Sequence, residues 1–594
     1  YQGNNKHKAH KAKDGKHRCS KRIHVLKLTA KVNSQKPNGN KWVLGVACWE
    51  HPFFNSGKQE CPSIRNAIGI IHFYSVKKSP KHKMVYTRLL IFCLFFQVLA
   101  APVKAVSYNI KTSSVIDRPS VQVLGSYKNS WYVIGFDKPG TLNKPPEYRF
   151  LKYEEGFPGA KVSAIYPSFG DKTLYLGAAI LNKRISLFYA RCEKWADKDF
   201  LLDPREGRRE IPIVYQIDYD PDSLTQMGDP KVIFDEADEH FAVSGIDIAT
   251  SSNGRKTAIL LKCWYRADKY KVILTDNQTG EVYASVFDFK VLKDYLQFDE
   301  LAVNNDGRVL VSAHTRSDVI NFAQDSKNKG QTRYYFFSID KGGAELKSLT
   351  LTSPAGKGQF FNNPQIAMLN DGGIVVAYCI YPDDKSRVVK AIEVDKYDVE
   401  LNLTAKKEIA PDAKFLEQAG QGVRKESGYA DVDIIQVLPL EAGNFMMFAE
   451  YAHTTLNADK NQPPLHERGY LLTWRFGNSL DVKDSRFIAK KQVSATAAYA
   501  FSARAYRQGN DVYLFHNDDW ESDDDNETNL FCTRFPAMGA DPDTRKVVHT
   551  SEGFYASMEN LFPSPDGKVL FTEEKLVDYD NVSREVKLLE VTVK

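Results

Sequence analysis

Between Ser126 and Gly567 short apolar runs alternate with tight polar bends. The chain reads NNDGRVLVSAH at Asn304–His314, LNDGGIVVAYC at Leu369–Cys379 and SSNGRKTAILLKC at Ser251–Cys263. FPSPDGKVLFTEE around Ser564 follows the same grammar, as does, more weakly, EAGNFMMFAE at Glu441–Glu450. RQGNDVYLFHN at Arg507–Asn517, SFGDKTLYLGA at Ser168–Ala178 and SYKNSWYVIGF at Ser126–Phe136 bring the copies to eight. Each sets Asn, Asp or Gly, which tolerate positive φ, between two β-rich runs, the signature of a hairpin. Most are followed by a second hairpin ending in an aromatic strand, such as RYYFFSID at Arg333–Asp340 or GYLLTWRF at Gly469–Phe476. The unit is therefore four short strands, repeated every (567 − 126)/7, about 63 residues, with no long amphipathic helix between copies.

Antiparallel four-stranded units at that spacing predict an all-β fold, a β-propeller of seven or eight blades closed into a ring. A row of immunoglobulin-like sandwiches needs about 100 residues per domain and does not fit. The turn Ser564-Pro565-Asp566-Gly567, with Asn305-Asp306-Gly307 and Asn370-Asp371-Gly372, resembles that of secreted and periplasmic propellers of the TolB-like and WD40-like superfamily. The resemblance covers most of residues 110–594 as a pattern, and implies a single propeller domain over 106–594.

Charge divides the chain. Residues 1–83 hold 18 Lys and Arg against 3 Asp and Glu, a net +15; the remainder, 62 basic against 71 acidic, is −9. Clustered lysines suit phosphates, yet the adjoining residues point elsewhere. The first methionine is Met84, then come Arg88 and the apolar run Leu89–Leu99, with small residues at Ala100 and Ala105. That is the layout of a secretory signal peptide over 84–105, too short for a stable span of a ~30 Å bilayer. Residues 1–83 then read as a non-native or disordered extension, and no nucleic-acid partner is expected. The mature chain, starting near Ala101 or Val106, is expected to be exported to a periplasm, cell surface or medium, and to be monomeric. Its cysteines, Cys192, Cys263, Cys379 and Cys532, are too few for a disulfide scaffold. Cys263 and Cys379 sit in apolar runs that suit buried thiols.

In a propeller the bend between the first and second strands of each blade lies on one face. Residues just after each second strand converge on the other, around the central channel. Those positions hold Asn182, Lys183 and Arg184; Lys262, Trp264 and Arg266; His314 and Arg316; Tyr381, Asp383 and Asp384. The later blades contribute Glu450 and His453; His516, Asp518 and Asp519; Glu573, Glu574 and Lys575. Such a mouth suits a polar ligand, with Trp264 stacking on a ring.

His314, His453 and His516 hold comparable places in three blades, and three imidazoles with Glu450 would suit zinc. Nothing in the sequence fixes their separation, and no metal is expected. The acidic stretch HNDDWESDDDNETN at His516–Asn529 offers oxygen ligands for calcium at Asp523, Asp525 and Glu527. It lacks a central glycine and has Arg534 where an EF-hand needs glutamate, so a solvated hairpin tip is the favoured reading and no cofactor is expected. Gly420-x-Gly422 lacks the third glycine of a dinucleotide site, and no serine-hydrolase, zinc-protease, phosphate-loop or kinase motif stands in the mature chain. The expectation is a non-catalytic propeller binding a protein or glycan on one face. The alternative is a hydrolase or lyase of polysaccharide or peptide, using Asp383, Asp518 and Glu450 as acid and base.

Overall fold

The apolar runs are strands and the Asn/Asp-Gly bends join them in antiparallel pairs, as the computed structural model of the chain describes them. Described are residues 107–593 except 117, 119, 139–146, 155–156, 158, 164–172, 192–212, 235–241, 252–253, 265–268, 289–295, 316–332, 341–345, 353–359, 384–385, 420–427, 456–464, 495–501, 519–527, 538–540, 551–553, 559–560, 565–566 and 579–582. The basic extension and the signal segment expected over 84–105 lie outside the described residues.

Eight antiparallel sheets follow one another as the blades of a β-propeller. The inner strands of blades 1 to 7 are Ser120–Tyr127, Thr173–Leu181, Ala242–Thr250, Leu296–Val303, Phe360–Met368, Val432–Pro439 and Ala503–Gln508. Blade 8 begins with two short pieces, Tyr555–Ala556 and Phe562–Pro563, and its outermost strand is Tyr108–Thr112, from the far end of the chain. That strand pairs in register with Ser583–Val593, Tyr108 facing Val593 and Thr112 facing Leu589. The blade count is eight.

Burial explains why the strands read as they do. In blade 5 the second strand, Ile374–Tyr381 (IVVAYCIY), is buried along almost its whole length, because neighbouring blades cover both faces. The fourth strand, Leu403–Ile409 (LTAKKEI), lies on the outer rim and is mostly exposed. Apolar clusters fill every interface: blades 1/2 around Tyr132 and Phe150, 2/3/4 around Leu261 and Val311, and 4/5 around Phe336 and Val376. The interfaces 5/6, 6/7, 7/8 and 8/1 pack around Trp474, Leu514, Phe515 and Trp131. The last of these closes the ring. There the Trp131 indole donates to Glu590 at 2.7 Å, and Lys111 of the outermost strand stands 3.6 Å from the same carboxylate.

Seven of the eight expected bends join a first strand to a second. In the best of them the Asn304 side chain accepts from the amides of Asp306 and Arg308 at 3.1 and 2.8 Å, and Gly307 takes φ +91°. Blade 2 corrects the sequence reading. Its hairpin turns at Asn182-Lys183, with φ 45° and 62°, while Gly170-Asp171 comes before the first strand, Thr173–Leu181, and lies outside the described residues. Asn182, Lys183 and Arg184 therefore lie on the hairpin face, not the opposite one. Two turn-like segments flank one apolar strand there, and local chemistry alone does not rank them.

A bulge in the inner strand was not legible in the sequence. The register slips between inner and second strand at Val123/Gly125, Tyr175/Gly177, Val243/Gly245, Phe298/Glu300, Asn362/Gln365 and Ile434/Gln436. A bulge bends the strand and re-aims its side chains. Gly125 takes φ +117° there.

Candidate functional site

On the face opposite the hairpins, blades 5 to 7 gather a connected set of polar groups around one cleft. The inner strand of blade 6 starts at Val432, its second strand, Phe445–Thr455, ends there, and its third, Leu465–Phe476, starts there. Asp433 and Glu450 are direct cross-strand partners. With Gln365 and Cys379 of blade 5, Arg468 of the third strand and Ser502 ahead of blade 7, Asp433 lines a cleft of about 210 Å³. Solvent reaches Asp433, yet burial raises its pKa; Arg468 opposes the rise, while Asp431 and Glu450 add to it. Tyr381 stands close enough to Asp433 and Asp431 for their charges to reinforce the burial that raises its phenol.

The rim of the cleft is braced from blade 5. Val388–Val389 pairs with Tyr429–Ala430, and the Asp431 amide donates to the Arg387 carbonyl at 2.8 Å. His453 Nδ1 lies 3.1 Å from Asp431 and 3.2 Å from Arg387. A six-residue helix, α1 (Ala413–Gln418), capped by Asp412, buries Phe415 behind this brace.

Behind the cleft the polar groups go under cover. Along the second strand of blade 6, Met446, Phe448 and Glu450 face blade 7 in turn; the first two pack against Leu514 and Phe535. Glu450 is fully buried, and so is Lys490, whose ammonium meets its carboxylate directly. The Ser502 hydroxyl donates to Glu450 at 2.9 Å, and Arg468 stands at 3.8 Å. From blade 7, His516 and Asp518 alternate with core residues on the strand Asp511–Asp518, so both face blade 6. Asn529 lies opposite Asp518, and the Lys491 amide donates to Asp518 at 3.2 Å, which brings Gln492 to the same place.

This interblade polar cluster is tightly packed rather than fully paired. His516, Gln492 and Asn529 are each 1% exposed. Both ring nitrogens of His516, both amide atoms of Gln492 and Oδ1 of Asn529 have no hydrogen-bond partner among the described residues. Burial, reinforced by the Lys490 charge, lowers the His516 pKa to about 3, and the neutral ring stacks on Phe531 at 5.7 Å.

The expected site residues divide by sector. Tyr381, Glu450, His453, His516 and Asp518 fall in the blade 5–7 assembly; Asp383 is nearby but exposed, its carboxylate accepting from the Ser386 amide at 2.8 Å. His314 belongs to blade 4 and pairs with Asp299 at 2.7 Å. Lys262 and Trp264 end the second strand of blade 3; Arg266, Arg316, Asp384 and Asp519 lie outside the described residues. Glu573 and Glu574 are buried inside Lys568–Asp578, which runs on past them. The three histidines have separate surroundings, and no three His, Cys, Asp or Glu groups converge on a metal position among the described residues. The calcium-like triplet lies outside those residues. Cys379 and Cys532 are buried free thiols, the latter pushed up to about 12 by burial.

Asp433, Arg468, Lys490, Gln492 and Ser502 were missed. They stand at strand starts or after fourth strands, where polar residues ordinarily mark exposed loops. The channel wall held another surprise. Glu300, on the blade 4 inner strand, is reached by solvent, yet burial raises its pKa to about 7; Arg504 of blade 7 opposes the shift and Asp299 adds to it.

No family model and no curated protein matches the chain. Solved propellers do. The WD40 domain of SCAP from fission yeast is 10% identical, with 81% of this chain and 98% of that one covered at TM-score 0.34. The polysaccharide lyase Uly1 is 11% identical, covering 80% and 89% at TM-score 0.37. The β-propeller domain of the Trilobed protease from Pyrococcus furiosus is 10% identical, covering 76% and 100% at TM-score 0.31. Likenesses at this level decide nothing about ligand or chemistry. Among the described residues no helix is long and apolar enough to cross a membrane.

Proposed function

We propose that this chain is an exported β-propeller that binds a protein or glycan ligand, without catalysis, on the face opposite its Asn/Asp-Gly hairpins. The observation that carries the reading is the cleft of about 210 Å³ lined by Gln365, Asp433, Arg468 and Ser502. Its size suits one sugar ring or one polar side chain rather than a drug-sized molecule. Its charges come in opposite pairs, Asp433 with Arg468 and Glu450 with Lys490, which supports recognition by hydrogen bonds over recognition by net charge. Export rests on the segment from Met84 to Ala105, and the Ser564–Gly567 type of turn supports kinship with the TolB-like and WD40-like propellers.

The test is a glycan array and a pull-down with the full chain, beside residues 106–594. Asp433→Asn and Arg468→Gln are expected to weaken the captured ligand at least tenfold. Binding undiminished in both variants overturns the proposal. The rival hydrolase or lyase reading has one observation in its favour, the raised pKa of Asp433, which suits a proton donor. Glu450, as its partner, is already engaged by Lys490 and Ser502. Product released from a bound glycan by the native chain, and lost in Asp433→Asn, would replace binding with catalysis.

A further inference from the structure

We infer that, when the chain enters a secretory pathway that adds N-glycans, Asn402 is an acceptor whose glycan the folded propeller tolerates and Asn277 is not. The inference is independent of the binding reading above. Four acceptor sequences follow the signal segment: Asn277-Gln278-Thr279, Asn402-Leu403-Thr404, Asn526-Glu527-Thr528 and Asn581-Val582-Ser583. Asn526 and Asn581 lie outside the described residues. The other two satisfy the same local rule, and their surroundings separate them.

Asn402 ends the tight turn between the third and fourth strands of blade 5, Ala391–Tyr397 and Leu403–Ile409. Tyr397 faces Ile374, beside the Asn370–Gly373 bend, so the turn stands on the hairpin face, away from the cleft. Its backbone is held firmly. The Asp398 amide donates to the Asn402 carbonyl at 3.0 Å, and the Asp398 carboxylate accepts from the Glu400 and Asn402 amides at 2.8 and 2.9 Å. The Asn402 side chain is exposed, and its Nδ2 donates once, to the Asp398 carboxylate at 3.3 Å. An amide nitrogen carries two hydrogens, so one is replaced by a sugar while the other keeps that contact. Leu403 beside it is 53% exposed, which leaves open space around the acceptor.

Asn277 is used differently. It is half-buried, and its Nδ2 donates to the Gly254 carbonyl at 3.0 Å and to the Thr257 hydroxyl at 2.8 Å, so both hydrogens are engaged. Its Oδ1 accepts from the Asn182 amide of blade 2 at 3.3 Å, which ties the hairpins of blades 2 and 3 together. The corner is crowded as well: a Cβ on Gly280 would stand 2.7 Å from the Asn182 side-chain amide. A sugar on Asn277 would break one of the two Nδ2 contacts and enter that corner. In the transfer itself, Nδ2 attacks the anomeric carbon of a lipid-pyrophosphate-linked oligosaccharide. The carbon–nitrogen bond forms, the bond from that carbon to the pyrophosphate oxygen breaks, the lipid pyrophosphate leaves, and one amide proton is released. Where transfer precedes folding, the fold acts as the filter: a glycan on Asn402 survives closure of the blade, and one on Asn277 holds two hairpins apart.

The experiment expresses the full chain behind a secretory leader in eukaryotic cells and sorts the product, from medium and cells, into trypsin-resistant and trypsin-sensitive copies. Peptide N-glycosidase in heavy-oxygen water then turns each glycosylated asparagine into a labelled aspartate, which mass spectrometry maps. Among resistant copies Asn402 is expected to carry the label in most and Asn277 in none, with any label on Asn277 confined to the sensitive ones. Asn402→Gln should remove its own label and leave the other peptides unchanged. Asn402 unlabelled throughout, or Asn277 labelled in resistant copies, overturns the inference. A second measurement needs no glycan. In the unglycosylated chain made in bacteria, Asn277→Gln should lower Tm while Asn402→Gln leaves it where it was. Equal melting of the two variants overturns the contrast between the sites, whatever the yield from eukaryotic cells.

Discussion

Replacing His516 with phenylalanine isolates one ionisation from the rest of the ring. The imidazole is 1% exposed, and burial with the nearby Lys490 charge takes its pKa from the ordinary 6.5 to about 3. An unfolded histidine takes up its proton as the pH falls through about 6.5, whereas the folded one stays neutral until about pH 3. Between those values the unfolded state binds more protons, so stability rises with pH and is lost on acidification. At about 1.4 kcal/mol for each tenfold change in proton affinity, the loss is roughly 3 kcal/mol at pH 4 and approaches roughly 5 kcal/mol below pH 3. For the unit Lys104–Lys594 the entropy of unfolding is about 1 kcal/mol per degree. The Tm of His516→Phe relative to the native chain should therefore climb by about 3 °C between pH 7.5 and pH 4, read by thermal scans monitored by circular dichroism. Asp395, Asp433 and Glu573, whose pKa values burial raises, act with the opposite sign. Their stabilisation is full in acid and fades as pH rises through the folded values. They are present in both proteins and cancel in the difference. Parallel Tm curves for the two proteins would refute the argument, because the buried ring would then be taking up its proton as readily as an exposed one.

Lys490→Met leaves the fully buried Glu450 carboxylate facing the Ser502 hydroxyl and the more distant Arg468. An uncompensated buried charge costs about 3–5 kcal/mol, so Tm should fall by about 3–5 °C at pH 7 and recover partly in Glu450→Gln/Lys490→Met; a double variant no better than the single one would contradict this. Trp131→Phe removes the indole donor that joins blade 1 to Glu590 of blade 8. A hydrogen bond to a charged group contributes about 1.5–3 kcal/mol, and the same scan should show a Tm lower by about 2–3 °C, with an unchanged Tm as the contrary result. Starting the chain at Ser113 deletes Tyr108–Thr112 and uncovers the edge of Ser583–Val593. Limited trypsin digestion and mass spectrometry should then find the first cuts within blade 8, and a digestion pattern identical to that of the longer chain would be the opposing outcome.

What the sequence disclosed follows the range of the forces involved. The bend at Asn304 is local chemistry, a side-chain carbonyl taking two amides within four residues, and it was legible at once. The doubly covered strand Ile374–Tyr381 was equally plain, because burial on both faces writes a continuous apolar run. Blade 2 misled because Gly170-Asp171 and Asn182-Lys183 satisfy the same local rule on either side of Thr173–Leu181, and only pairing with Arg184–Arg191 chooses between them. Ring closure lay further out of reach: Tyr108–Thr112 carries no turn of its own and finds its register on residues at the opposite end of the chain.

The site shows why polar residues are the harder ones to place. Glu450 was legible as a candidate acid because the repeat put it near the end of a second strand, which runs on past it to Thr455, but its role depends on Lys490, which follows a fourth strand and has no periodic signature. A lysine after a strand reads as loop, and burying one is so costly that the bland reading is normally right. Here the cost is offset only because blades 6 and 7 close over both charges together, a fact that belongs to the interface and to neither segment. The same holds for His516, Gln492 and Asn529, each ordinary in its own strand. Apolar positions reveal themselves singly, since each gains by leaving water whatever lies opposite. A buried polar group has meaning only through its partner, and that partner usually stands in a different blade and a distant stretch of sequence.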